Sequence, residues 1–369
     1  MKKLLLLLSV IFITGFSFGQ YTSIPDPNFE QALIDLGHDD VIDGQVLTSN
    51  ISGLDSLEIQ DPIGFGPISN LTGLQDFTAL EYLNVSGNQL SNYDFSSNLN
   101  LKYLNIGYCQ ISNLDVSQNF LLEHLDFKLN GLLSIDVSNN LNLRVLITEN
   151  NENLTQIDVS QNPLLEKLNC YSNSLSSLNL LNNQQLKELN IRDNSISNID
   201  LSQNLNLEIL NVSENPISLL NFNSLPNLKS IQANFTLLQE VVINSEIIQI
   251  LFLNDNQALS CVNIKGCTNL YGFETNNTPS LTCIEVSDPV QANALVDSFD
   301  WEIDNINSFS SDCDNSCSSS LGITELNSNQ PKELIKIVNL LGQEVEFKPN
   351  TPLIYIYSDG STERVYNVE

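Results

Sequence analysis

The chain has 369 residues, of which 41% are hydrophobic, and a formal net charge of −30 at pH 7. This hydrophobic content is enough for a large core. The negative charge argues against nucleic acid and against an anionic membrane as partners, because both would repel it. Cations and basic proteins are compatible with it.

Residues 1–19, MKKLLLLLSVIFITGFSFG, have the pattern of an export signal. Two lysines precede an apolar run, and the small residues Ser17 and Gly19 stand where a signal peptidase would cut. The apolar run is shorter than the roughly 20 residues that cross a bilayer as a helix. We therefore predict a signal peptide, a mature chain without a membrane-spanning segment, and a secreted or outer cell-surface location.

Residues 20–45 predict an N-terminal cap built on one short helix. Asp26 suits the N-cap, Pro27 the first helical position and Gly37 the residue after the helix. The apolar residues at helical spacing are Phe29, Leu33 and Leu36. Such a helix would cover the end of the segment that follows, because the first unit of a repeat array exposes its core.

Residues 46–287 repeat one frame, L-x-x-L-x-V-x-x-N followed by L-x-x-L-D-V-S-x-N, with a period of about 21 residues. The opening positions are Leu80, Leu101, Leu122, Leu143, Leu165, Leu186, Leu207, Leu228, Ile248 and Leu270. A fixed period of this length predicts a solenoid, because one unit cannot bury its own apolar face. We expect about eleven coils.

Each half of the frame contains a short alternation of apolar and polar residues. In the second coil Leu104 and Ile106 show it in the first half, and Leu114 and Val116 show it in the second. Alternation predicts strands, and the short period leaves no room for a helix of ordinary length. We therefore predict a mostly β fold with two strands per coil around one apolar column.

Asparagines recur at two fixed positions of the frame. The first set is Asn88, Asn130, Asn151, Asn173, Asn194, Asn215 and Asn256, and the second set is Asn98, Asn119, Asn140, Asn162, Asn183 and Asn204. We interpret both sets as structural, because asparagine amides can satisfy backbone groups at buried corners. A ladder of ligand-binding amides is the alternative.

The segments LEYLNVSGNQL and LEILNVSENPI, which begin at Leu80 and Leu207, resemble leucine-rich repeats. The LDVSQN of the second half resembles the short form found in bacterial surface proteins. The resemblance covers about residues 46 to 287. It implies a solenoid whose first strand lines the concave face, with outward residues that usually bind the ligand.

Seven cysteines, five of them after residue 260, predict disulfides in an exported protein. Cys261 and Cys283 have the same phase in adjacent coils, which would place them within disulfide reach. The sequence pattern at the end of similar solenoids implies a competing pair, Cys283 with Cys313. This bond would close a C-terminal cap at residues 288–317. The sequence leaves both pairings open.

Residues 318–331 predict a linker, and residues 332–369 predict a small all-β domain with four strands. This tail resembles the sorting domain of the type IX secretion system of Bacteroidota, through KIVNLLGQEV, YIY and DG. It departs from the usual pattern at Leu353 and Ile354, where many relatives have a glycine. The resemblance implies export by that machinery, and an ordinary structural β domain is the alternative.

No catalytic constellation and no cofactor motif emerges from the sequence, so we expect neither enzymatic activity nor a cofactor. Candidate ligand-binding residues are the outward positions of the first strand, since tyrosine and arginine often anchor recognition. They are Tyr82, Asn84, Tyr103, Asn105, Tyr108, His124, Asp126, Lys128, Arg144, Tyr171 and Arg192. An ordinary solvated surface is the alternative.

A row of aspartates in successive coils is a weak candidate for calcium, since hard cations prefer oxygen ligands. Its members are Asp94, Asp115, Asp136, Asp158 and Asp200. Hydrogen bonds to turn amides explain the row without an ion, and Asn179 and Asn221 at equivalent positions favour that explanation. The sequence thus predicts a module that binds an extracellular protein or polysaccharide, with a structural or calcium-binding surface component as the alternative.

Overall fold

The computed structural model describes residues 19–60, 66–91, 93–298, 300–304, 307–313, 317, 334–338, 345, 353–357 and 362–365. The chain divides into two compact units between Cys317 and Ser318. The predicted signal peptide, apart from Gly19, and the predicted linker at residues 318–331 lie outside the described residues.

The first unit begins with four short elements: β1 (Tyr21–Ser23), α1 (Pro27–Asp35), β2 (Gln45–Leu47) and α2 (Thr48–Ile51). Asp26 caps α1, because its Oδ1 accepts the N–H groups of Asn28 and Phe29 at 2.9 and 3.2 Å. Gly37 follows the helix with a φ of 81°, a conformation that favours glycine. The predicted helix is confirmed, although Leu36 at its end is 43% exposed.

One parallel sheet of twelve short strands runs through the repeats. Its strands are β3 (Ser56–Glu58), β4 (Tyr82–Asn84), β5 (Tyr103–Asn105), β6 (His124–Asp126), β7 (Val145–Ile147), β8 (Lys167–Asn169), β9 (Glu188–Asn190), β10 (Ile209–Asn211), β11 (Ser230–Gln232), β13 (Ile250–Phe252), β15 (Gly272–Thr275) and β17 (Trp301–Ile303). Neighbouring strands pair in register, so that Leu83 lies beside Leu104 and Leu104 beside Leu125. These middle residues are fully buried, and the mostly β solenoid is confirmed.

The prediction of two strands in every coil is wrong for most coils. Among the described residues, four strands form a second parallel sheet: β12 (Glu240–Val242), β14 (Cys261–Asn263), β16 (Cys283–Glu285) and β18 (Ser308–Ser310). In earlier coils an aspartate such as Asp115 accepts the N–H of the residue two positions on, Ser117, at 2.8 Å. The coil that contains β12 instead has Val241 and Val242 there, and β-branched residues favour a strand. Two single-turn 3₁₀ helices, Leu74–Asp76 and Phe222–Ser224, precede strands β4 and β11.

Both sets of asparagines bond the backbone, as predicted. Asn130 represents the first set: its Nδ2 donates to the carbonyls of Ile106 and Phe127, and its Oδ1 accepts the N–H of Ile111. Asn140 represents the second set, where Nδ2 donates to the backbone oxygen of Asn119, its counterpart one coil earlier, at 2.9 Å. Neighbouring coils are thereby joined through asparagine amides, most of them buried.

The C-terminal end of the first unit contains a helix that the sequence analysis did not predict, α3 (Pro289–Asp297), capped by Asp288. Trp301 is buried beside it and donates its indole N–H to the carbonyl of Leu270 at 3.3 Å. These elements cover the last coil, which would otherwise expose its core.

Two disulfides close this end, and they correct one of the predicted pairings. Cys283 bonds Cys313, as one alternative stated, but Cys261 bonds Cys317 rather than Cys283. Cys261 and Cys283 do lie on neighbouring strands. The chain that leaves β18 then supplies one cysteine to each strand, because four residues suffice to span the roughly 5 Å between adjacent strands.

The second unit contains a three-stranded antiparallel sheet of β19 (Leu334–Val338), β20 (Leu353–Tyr357) and β21 (Thr362–Val365). Three of the four predicted strands are therefore present. The fourth predicted strand, QEVEF, has one described residue, Val345. Its N–H donates to the carbonyl of Ile337 at 2.9 Å.

Candidate functional site

The outward surface of the twelve-stranded sheet, here called the sheet face, is formed by the first and third residues of each strand. Tyr82, Tyr103 and His124 are the first residues of β4, β5 and β6. Because these strands pair in register, the three rings stack along the solenoid. Centroid distances are 4.2 Å for both neighbouring pairs, and interplanar angles are 13° and 17°. We call this group the aromatic stack.

The stack behaves as an uncharged aromatic surface at neutral pH. Burial, together with the nearby Lys167, lowers the pKa of His124 from 6.5 to about 4. The imidazole Nε2 is buried and has no hydrogen-bond partner among the described residues. His124 therefore acts as a third flat ring beside the two tyrosines rather than as a cation.

The third residues of the same strands form a polar row whose oxygens serve the backbone. Asn84 and Asp126 are only 5% and 3% exposed. The Oδ1 atoms of Asn84, Asn105 and Asp126 each accept the N–H of the residue two positions on, at 3.0–3.2 Å. Burial raises the pKa of Asp126. These side chains end the strands, and Asn105 also bonds the side chain of Tyr103.

The predicted cationic residues are all paired within the chain. Lys128 lies 3.7 Å from Asp126. Arg192 bonds Glu214 through Nε and Nη2 at 3.0 and 2.6 Å, and its guanidinium lies 5.4 Å from the ring centroid of Tyr171. Free positive charge is therefore not what these residues offer to a partner.

Several predicted residues do not lie on the strands. Tyr108 lies at the corner beyond β5, with a φ of 58° and 54% exposure, and Arg144 immediately precedes β7. Lys128, Tyr171 and Arg192 each come two residues after a strand ends. Of the predicted ligand-binding residues, the members of the aromatic stack and of its polar row are the ones that lie on the strands of the sheet.

The sequence analysis missed a row of alternating charges directly before the strands β4–β11, here called the charge row. Its members are Glu81, Lys102, Glu123, Arg144, Glu166, Lys187, Glu208 and Lys229. Arg144 lies 3.8 Å from Glu123 and 2.6 Å from Glu166, and Lys187 lies 2.7 Å from Glu166. The signal was available as the residue after each opening leucine, but it is visible only when the coils are aligned.

No family model matches the chain, and no curated relative matches it. Solved structures do match. The functional domain of InlJ from Listeria monocytogenes, described as including a cysteine ladder, is 24% identical over 79% of this chain and 72% of its own, with a TM-score of 0.63. The internalin InlF of the same species is 19% identical over 78% of this chain and 91% of its own, with a TM-score of 0.64.

A leucine-rich-repeat protein of Leptospira interrogans is 19% identical over 69% of this chain and 73% of its own, with a TM-score of 0.55. The chain has the leucine-rich-repeat fold. In leucine-rich repeats the first strand of each coil lines the concave face. The sheet face of this chain is formed by those first strands.

The aspartate row of this leucine-rich-repeat solenoid consists of turn-forming residues. Asp94, Asp115, Asp136, Asp158 and Asp200 each accept the N–H of the serine two positions on, at 2.8–2.9 Å. Hydrogen bonds from these serines lower the pKa of each carboxyl. Across the part of the chain that the structure describes, no three histidine, cysteine, aspartate or glutamate side chains come together as a metal site.

Among the described residues of the first unit, two cavities bear on the sheet face and on the C-terminal end. One, of about 230 Å³, is on the sheet face between β8 and β11, and Lys167, Glu188 and Ile209 contribute to its lining. The other, of about 300 Å³, lies beside α3 and is lined in part by Cys267 and Trp301. Within the described ranges, none of the helices has the length and apolarity that a bilayer crossing requires.

Proposed function

We propose that this leucine-rich-repeat protein is a secreted or cell-surface module that recognises an extracellular protein through its sheet face. The observation that carries the proposal is the aromatic stack, which places two tyrosines and a neutral histidine in one partly exposed group. Tyrosines in such settings are common hot spots of protein recognition, because they offer a large apolar area with a polar tip.

The stacking geometry favours a protein over a polysaccharide as the partner. A sugar ring packs against the face of an aromatic ring, but both faces of Tyr103 are covered by Tyr82 and His124 at 4.2 Å. The outer neighbours in register are Ser56 and Val145. The stack therefore presents ring edges outward, which suits the side chains and backbone of a protein surface.

Replacing Tyr103 by alanine is expected to weaken binding about 30-fold, because the middle ring of the stack is lost and its neighbours separate. The measurement is retention of extracellular protein and of an array of polysaccharides by the immobilised chain. The matched control is Tyr271→Ala, since Tyr271 is 58% exposed and lies outside the stack. Equal retention by all three proteins would contradict the proposal, and Tyr103-dependent retention of a polysaccharide would replace the protein partner by a glycan.

We also propose that the second unit directs export through the type IX machinery. The support is the antiparallel sheet at the end of a chain whose first residues have the pattern of a signal peptide. The test is fractionation of the native cells with intact-mass measurement. Extracellular or surface protein that lacks the second unit, Ser318–Glu369, is the expected result, and full-length protein retained in the periplasm would refute it.

A further inference from the structure

One lateral edge of the solenoid combines the charge row with a row of exposed apolar residues. An exposed side chain lies three positions before each member of the charge row. The opening leucine, directly before each charged residue, is buried. These side chains are Thr78, Leu99, Phe120, Leu141, Pro163, Gln184, Leu205 and Pro226. Leu99, Phe120, Leu141 and Leu205 are 50–55% exposed. We call the six apolar members, without Thr78 and Gln184, the apolar ridge.

This edge is electrically unlike the rest of the chain. The charge row contains four glutamates and four bases, whereas the whole chain has 44 acidic and only 14 basic residues. Two copies of the chain would repel each other across most orientations, but not through this neutral strip. An exposed apolar ridge beside it is the kind of surface that marks an interaction site.

We propose that the lateral edge binds a second copy of this chain, in an antiparallel arrangement about a two-fold axis between Arg144 and Glu166. A row of eight alternating charges is complementary to itself when its direction is reversed, so that Glu81 faces Lys229 and Glu123 faces Lys187. The ridge then faces the ridge, with Leu99 opposite Leu205. Such a contact is isologous, as in most homodimers.

Other arrangements of two copies are disfavoured by the same row. In a parallel arrangement each glutamate would face the same glutamate of the partner. A shift by one coil in the antiparallel arrangement would also place like charges opposite each other, and such juxtaposition suppresses the wrong pairing. The alternation therefore selects both the direction and the register of the contact.

The size of the edge suits a modest but specific interface. Seven steps of about 4.8 Å between coils give a strip about 34 Å long, and three extended residues plus side chains give a width of about 15 Å. Each copy would thus bury about 500 Å², or about 1,000 Å² in total, which is about the minimum area of a specific interface and predicts a weak dimer. The sheet face is not required for this contact, so the dimer does not depend on the proposed function.

Light scattering on the purified full chain is expected to give twice the chain mass. Leu141→Asp should weaken the dimer at least tenfold, because two charges enter the interface by symmetry. The matched control is Leu133→Asp, since Leu133 is 65% exposed and lies off this edge. A monomeric wild type, or equal effects of the two substitutions with both variants folded by circular dichroism, would overturn the proposal.

A double cysteine variant, Leu99→Cys with Leu205→Cys, tests the register. Those two positions lie five coils apart in one chain, about 24 Å, which is too far for a disulfide within a chain. Oxidation of the double variant should therefore give a covalent dimer, whereas Leu99→Cys alone should not. A dimer formed by Leu99→Cys alone would show a parallel contact and overturn the antiparallel one, and no covalent dimer in either variant would overturn it as well.

Discussion

Replacement of Asn140 by aspartate is expected to lower the free energy of unfolding by about 3–5 kcal/mol, the cost of an uncompensated buried charge. Asn140 is fully buried, and its Nδ2 donates to the backbone oxygens of Val116 and Asn119 at 3.0 and 2.9 Å. A carboxylate would lose both donors and place its charge against those oxygens. Urea denaturation of the two proteins measures the difference.

The matched control is Asn139→Asp, because Asn139 is the exposed neighbour, with its Nδ2 donating to the carbonyl of Ser117 at 3.2 Å. We expect a change of about 0.5 kcal/mol or less for this substitution. If Asn140→Asp cost as little as the control, the amide would not be joining the coils.

Removal of the Cys283–Cys313 disulfide, by Cys283→Ser with Cys313→Ser, is expected to lower the stability of the C-terminal end by about 3.6 kcal/mol. This value is the loop-closure entropy that the bond removes from the unfolded chain. The two cysteines are separated by 30 positions, and the loss of the cross-link gives the unfolded chain more conformations. Thermal unfolding followed by tryptophan fluorescence reports this region, because Trp301 is buried beside α3.

Thiol titration of the denatured protein checks the pairing in the same variant. Cys109, Cys170 and Cys267 are free in the structure, so the wild type and the double variant should both titrate three thiols. A variant with five free thiols would show that Cys261 had been bonded to Cys283 rather than to Cys317.

The features that recur in every coil were predictable from the sequence, because repetition averages out local ambiguity. The buried leucines and the asparagine amides belong to this class. Features that occur once were harder. Helix α3 was missed although Asp288 and Pro289 repeat the capping signal of Asp26 and Pro27. The pairing of Cys261 with Cys317 depends on the path of the chain after β18, which no local pattern specifies.

The candidate site was predictable only in part, for a different reason. Outward residues contribute little to folding, so their identity varies from coil to coil and a pattern among them is visible only when the coils are aligned. Tyr82, Tyr103 and His124 were found because they share one phase of the frame. Tyr108 and Arg144 were assigned to the same row, although a left-handed corner at Tyr108 and the charge row at Arg144 place them elsewhere.

The charge row also limits how the number of coils could change. Loss of the single coil that carries Arg144 would bring Glu123 next to Glu166, and like charges on neighbouring strands destabilise a sheet. Loss of two successive coils would leave acid next to base along the whole row. Inside the charge row, the alternation therefore survives the loss of coils in pairs but not the loss of one internal coil.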